Sequence, residues 1–179
     1  TLPLYYETDK FRAVHACWDF ENIEFLRNIL ENDRLTDKLI YDSVKQDTEM
    51  HRVIEETLKG KEIAMPEGFS FYDKDGTERS EIRIKWWEDP SAMTYRSISV
   101  EPLENLPNAP IEGSVISAQA YYPGDQKPVF FGHYWLKGQP SLQRANVCCL
   151  DYSVAKGGNL VAYRLDNDVK LSESNVVFV

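Results

Sequence analysis

Apolar and polar positions change their period along this chain. From Phe20 to Leu30 the apolar residues Phe20, Ile23, Leu26, Ile29 and Leu30 recur at helical spacing, with Asp19 placed to cap the start and Glu21 and Glu24 in the first turns. A second helical stretch is predicted from Thr36 to Leu58, with a break or bend in the polar segment Lys45–Glu49 and a stop at Gly60. Before these helices, residues 10–16 read as a short strand that runs into a polar loop. After Pro66-Glu67-Gly68 the pattern becomes β-rich. A hairpin is predicted from Phe69–Tyr72 and Ser80–Trp87 around Asp73-Lys74-Asp75-Gly76, a string whose remaining positions do not follow a calcium loop. Residues 101–114 carry Pro102, Pro107 and Pro110 and read as a surface connection. Further strands are expected at 115–121, 128–131, 146–150, 160–165 and 176–179. The fold class that follows is α/β: a partial two-sheet sandwich flanked by helices, with residues 20–60 as a helical insert in a single domain over 1–179.

Composition narrows the class of function. At 179 residues with 42% apolar content, the chain can bury a sizeable core. Its net charge of −9 argues against nucleic-acid polymers and anionic membranes as partners, because both need basic patches. No apolar run reaches the roughly 18 residues of a membrane span, and no signal peptide is visible. Cys17, Cys148 and Cys149 are odd in number and two are adjacent, so they read as reduced, buried thiols of a cytoplasmic protein.

Candidate chemistry centres on histidine. His15 and His133 each lie just past an apolar strand-like run, where α/β folds place their chemistry, and Gly132 permits close backbone approach before His133. Imidazole binds first-row divalent metals, although a histidine at a strand end also serves as an ordinary structural residue. His51 reads as part of a solvated helix face, and Asp19 as a helix cap rather than a ligand. Asp151 has two readings, an acceptor that orients a ligand histidine or a strand-end cap. Trp86 and Trp87 read as core and sheet-edge cover, with a nucleobase-stacking cleft as the alternative.

Four strings occur in a suggestive order: Ala13-Val14-His15-Ala16, Phe130-Phe131-Gly132-His133, Cys149-Leu150-Asp151-Tyr152 and Gly157-Gly158-Asn159-Leu160-Val161-Ala162. Over about residues 11–19 and 128–165 the chain resembles the C-terminal part of the calcineurin-like metallophosphoesterases, in particular the bacterial branch of diadenosine tetraphosphatases and serine/threonine phosphatases. Lys85-Trp86-Trp87-Glu88-Asp89-Pro90 is similar to a Trp-Ser-Asp-Pro segment of that branch. The resemblance implies that His15 and His133 ligate one ion of a dinuclear centre of manganese, iron or zinc, and that Arg96 contacts phosphate. It implies hydrolysis of a phosphate ester or anhydride in a phosphorylated small molecule, nucleotide or phosphoprotein.

Cys17 and Tyr152-Ser153 depart from the family's Gly and Thr-Gly. The family's Gly-Asp-x-His-Gly, Gly-Asp-x-x-Asp-Arg-Gly and Gly-Asn-His-Glu motifs, which supply the bridging carboxylates, do not occur here. The expectation is therefore an incomplete, inactive fragment with at most one weak metal site, whose exposed strand edges favour self-association. The alternative is a non-catalytic binding or structural module.

Overall fold

The computed structural model describes residues 2–72, 76–113, 115–116, 120–166 and 170–179. It is a mixed α/β structure that divides into two compact units, Thr1–Gly60 with Pro123–Val179, and Lys61–Tyr122. Among the described residues, no helix is long and apolar enough to cross a membrane.

The first unit is built on a four-stranded sheet in the order β1 (Tyr5–Glu7), β2 (Arg12–Val14), β7 (Val129–Phe131), β8 (Val147–Cys149). β1 and β2 form an antiparallel hairpin, closed by Thr8, whose Oγ1 accepts hydrogen bonds from the Lys10 and Phe11 amides. β2, β7 and β8 are parallel, with Ala13 opposite Phe130 and Phe131 opposite Cys149. Every residue of β7 and β8 is buried, as expected for parallel strands covered on both faces. One cover is a three-stranded antiparallel sheet, β9 (Asp151–Tyr152), β10 (Asn159–Tyr163) and β11 (Val176–Phe178). Here Phe130 meets Tyr163 at 5.3 Å between ring centroids, and Cys148 and Leu171 complete the cluster.

Three helices belong to the same unit. α1 (Phe20–Ile29) begins where the Asp19 carboxylate accepts from the Asn22 amide, which confirms the cap. The second helical stretch is two helices, α2 (Asp37–Ser43) and α3 (Glu49–Lys59), separated where the polar segment predicts a break. Thr36 and Thr48 cap them, a hydroxyl in each case accepting the amide three residues on. Gly60 ends α3 with φ +99°. His51 is not a solvated bystander: its Nδ1–H donates to the Ser43 carbonyl at 2.8 Å and ties α3 to the end of α2.

The second unit pairs β3 (Glu62–Ala64) with β6 (Glu81–Arg83), and β4 (Phe71–Tyr72) with β5 (Glu78–Arg79). The expected partner of Phe69–Tyr72 was Ser80–Trp87, so the register differs. β6 ends at Arg83 because the Trp86 amide turns back to the Ile84 carbonyl and Lys85 bonds Ile98. The Asp73-Lys74-Asp75 part of the loop, including the calcium-like string, lies outside the described residues. So do residues 117–119 of the strand expected at 115–121. Its first residues, Val115 and Ile116, lie in a turn that the Val115 amide closes on Glu112. Ile63, Ile82, Ile84, Ile98 and Leu106, together with Tyr95 of the short helix α4 (Tyr95–Ile98), form this unit's core. Trp86 and Trp87 are both buried, edge to face at 5.7 Å, so neither lines a cleft.

Candidate functional site

The sequence-predicted histidines converge. His15 is the first residue past β2, and His133 is the second past β7. The two strands are parallel neighbours, so both side chains leave the same carboxyl edge of the sheet. The Gly132 amide extends the ladder by one bond, donating to the His15 carbonyl at 2.9 Å. A Cβ on Gly132 would lie 3.6 Å from both that carbonyl and the Asp151 Cβ, an ordinary van der Waals contact, so the crossing does not itself require glycine. His133 takes φ +69°, in the left-handed region, which swings its ring back toward His15. The result is 3.3 Å between His15 Nε2 and His133 Nδ1, with ring centroids 5.1 Å apart. His15 is exposed and His133 half-buried, so the pair opens to solvent.

Two geometries suit that distance. One ring's N–H can donate to the other ring's lone pair. Alternatively, nitrogens each about 2.1 Å from a common ion stand roughly 3.0–3.4 Å apart between right-angle and tetrahedral arrangements. The residues present therefore fit a single ion held by two imidazoles. Among the described residues no group of three His, Cys, Asp or Glu side chains could hold a metal ion, so remaining ligands would come from water or substrate, or from groups outside this set.

Asp151 occupies the third parallel position, just past β8 at the start of β9. Its Oδ2 accepts from the Trp135 amide at 3.3 Å and its Oδ1 from the Ser153 amide at 3.1 Å, while its carbonyl accepts from the Leu136 amide. The carboxylate thus caps its own strand end and at the same time fastens the loop that carries His133. It acts on the histidine through the backbone.

Two residues that the sequence reading missed stand beside the pair. Trp135 is 48% exposed, takes φ +49°, and lies 6.4 Å from the His133 ring. The Lys156 ammonium sits 3.8 Å over the Trp135 ring centroid. An exposed tryptophan two residues after a ligand candidate was the available signal, but nothing in the sequence places Lys156 on it. Cys148 and Cys149, by contrast, are buried, and burial pushes both thiols up to about 12, so neither is a nucleophile at neutral pH.

Arg96 belongs to the second unit, in α4. Its guanidinium donates to the Leu106 carbonyl from Nε at 2.9 Å and from Nη2 at 2.7 Å, and to the Glu104 carbonyl at 3.1 Å. It lines an open groove of about 410 Å3 with Lys85, Ser99 and Glu104, and the Lys85 ammonium in turn donates to the Ser97 carbonyl. The geometry gives Arg96 the work of stapling the Pro-containing 101–107 loop.

Comparison with protein-family models, with curated proteins and with solved structures finds no match to this chain.

Proposed function

We propose that this chain is the C-terminal part of a metal-dependent phosphoesterase related to the calcineurin-like family, and that His15 and His133 hold one divalent ion. The observation that carries the reading is the 3.3 Å separation of two imidazole nitrogens at the carboxyl ends of adjacent parallel strands. Manganese, iron or zinc suits such donors, and among the described residues no carboxylate cluster stands with them to bridge a second ion. A bound divalent ion polarises a phosphoryl oxygen and makes a coordinated water acidic enough to attack phosphorus near neutral pH. The chain's own part is to present two imidazoles on a sheet edge, with Asp151 fixing the loop that bears one of them.

Beside that edge, the Lys156 ammonium and the exposed Trp135 ring offer a cation and an aromatic face to a phosphorylated small molecule, nucleotide or phosphoprotein. Three buried free thiols fit the reducing conditions of the cytoplasm. Alone, the chain is expected to be catalytically inactive, and its edge strands β1 and β11 favour self-association.

A second reading is a module without chemistry, in which the imidazoles bond to each other rather than to an ion. The engagement of Arg96 with loop carbonyls favours it, because those bonds give the side chain a structural role of its own. Calorimetric titration with manganese and cobalt(II) decides between them. The phosphoesterase reading expects one weak site that is lost in both His15→Ala and His133→Ala. No binding at millimolar metal would leave the structural module, and a tight two-metal isotherm would show that the chain holds more of the centre than proposed.

A further inference from the structure

The loops carrying His15 and His133 meet a common neighbour: the last turn of α3. That turn ends at Lys59, so the carbonyls of its final residues have no amide partner within the helix. The Glu56 carbonyl receives the Gly60 amide. The Thr57 carbonyl receives two amides from the His15 loop, Ala16 at 3.1 Å and Cys17 at 3.3 Å. Thr57 itself is fully buried. One residue past the helix, Gly60 takes φ +99° and turns a bare α-carbon toward Tyr134, the residue that follows His133. A Cβ at Gly60 would come within 2.9 Å of the Tyr134 Cζ and nearer still to its hydroxyl. Tyr134 cannot retreat easily, being buried edge to face against Phe131 with centroids 5.2 Å apart.

We propose that the C-terminal turn of α3, Thr57 through Gly60, is the clamp that sets the distance between the two imidazoles. The Thr57 carbonyl fixes the start of the loop after His15. The missing side chain of Gly60 lets the Tyr134 ring seat, and with it the peptide it shares with His133. Gly60 and Tyr134 are thus positioning residues, and the helical segment 20–60 is the base on which the pair is assembled. As a property of a metal site this rests on the reading proposed above. As a property of two imidazoles it stands without it.

The test uses the whole chain and two readouts. Metal-free, histidine ring resonances and the nuclear Overhauser effect between the His15 and His133 rings report the pair directly. Cobalt(II) titration reports its use as a site. Gly60→Ala is expected to shift the His133 ring resonances, abolish the inter-ring effect and weaken cobalt binding by about 10–100-fold, the usual cost of disturbing the support of a metal ligand. Gly138→Ala is the control, since Gly138 also has a positive φ (+85°) but its Cβ would meet nothing within 4 Å. It should leave both readouts unchanged. Gly60→Ala/Tyr134→Leu removes the ring end that the new methyl strikes and should restore the effect between the rings.

Wild-type histidine signals in Gly60→Ala would overturn the proposal. If Gly60→Ala fails to fold, the double variant decides: a folded chain with the rings in contact supports the clamp, and one equally unfolded, or folded without the contact, overturns it. A wild-type chain that binds no cobalt would sink the metal reading, while the ring-to-ring measurement still judges the clamp.

Discussion

The two units use their polar side chains differently. At the carboxyl edge of the first unit's sheet, Asp151 spends both carboxylate oxygens on amides, and its effect is to hold a loop that presents His133 to His15. In the second unit, Arg96 spends its guanidinium on the carbonyls of residues 104 and 106, and its effect ends with the loop it staples. Both are satisfied side chains, and satisfaction alone does not separate a site from a scaffold. What separates them is the next side chain along. In the first unit, the immobilised backbone carries imidazoles whose nitrogens face one another in solvent reach. In the second, the immobilised loop leads inward to Leu106 in the core.

The largest effect by which to probe this contrast lies in the second unit's interior. Trp86 is almost wholly buried against Trp87 and Tyr122. Trp86→Ala should cost about 3–5 kcal/mol, read from hydrogen exchange of the 61–122 amides. A loss below about 1 kcal/mol would mean that the ring is not what holds this unit together.

Next comes the pairing of Asp151→Asn with Arg96→Ala. Each should lower stability by about 1 kcal/mol through lost backbone hydrogen bonds. Only the first should also weaken cobalt binding, and equal effects on cobalt would erase the distinction drawn here.

The smallest effect concerns Glu7, which pairs with Arg12, Arg27 and Lys127 around β1 and β2. Partial burial pushes its carboxyl up, but the hydrogen bonds and charges of Arg12 and Lys127 outweigh that and hold it below its usual value. A depressed folded pKa means that this stabilisation is present above the unfolded value near about 4.3 and fades as pH falls through the lower folded value. Glu7→Gln should therefore flatten the acid limb of the stability curve and change it least at the most acidic end. An unchanged acid limb in a denaturant series would remove Glu7 from the network.

Much of the first unit was legible because local rules agreed with the tertiary outcome. Asp19, Thr36 and Thr48 are side chains that cap helices from their own sequence neighbourhood, and the break before α3 falls where apolar residues run out. The strands at 129–131 and 147–149 are unbroken apolar runs, which the sheet then buries, whereas 159–163 buries only Val161. The second unit was read less well. Its strands are two or three residues long, and what ends β6 is a set of main-chain bonds to Ile98 and Ile84 that no local pattern announces. His51 and Trp87 show the same limit: a polar helix suggests solvent, and a tryptophan pair suggests one exposed ring. The chain instead found a carbonyl for one and a core for the other.

The sequence by itself determined the α/β class, the Asp19 helix cap, the apolar strand runs and the placing of His15 and His133 just beyond two of them. These follow from side-chain chemistry acting over a few residues. Only the tertiary structure decided that β2 and β7 are parallel neighbours, that a left-handed turn at His133 and a bare Gly60 bring two imidazoles to 3.3 Å, and that Arg96 serves a loop. Each of those outcomes depends on groups eight or more residues apart meeting in space, and no local periodicity encodes which distant partner a hydrogen-bonding group will find.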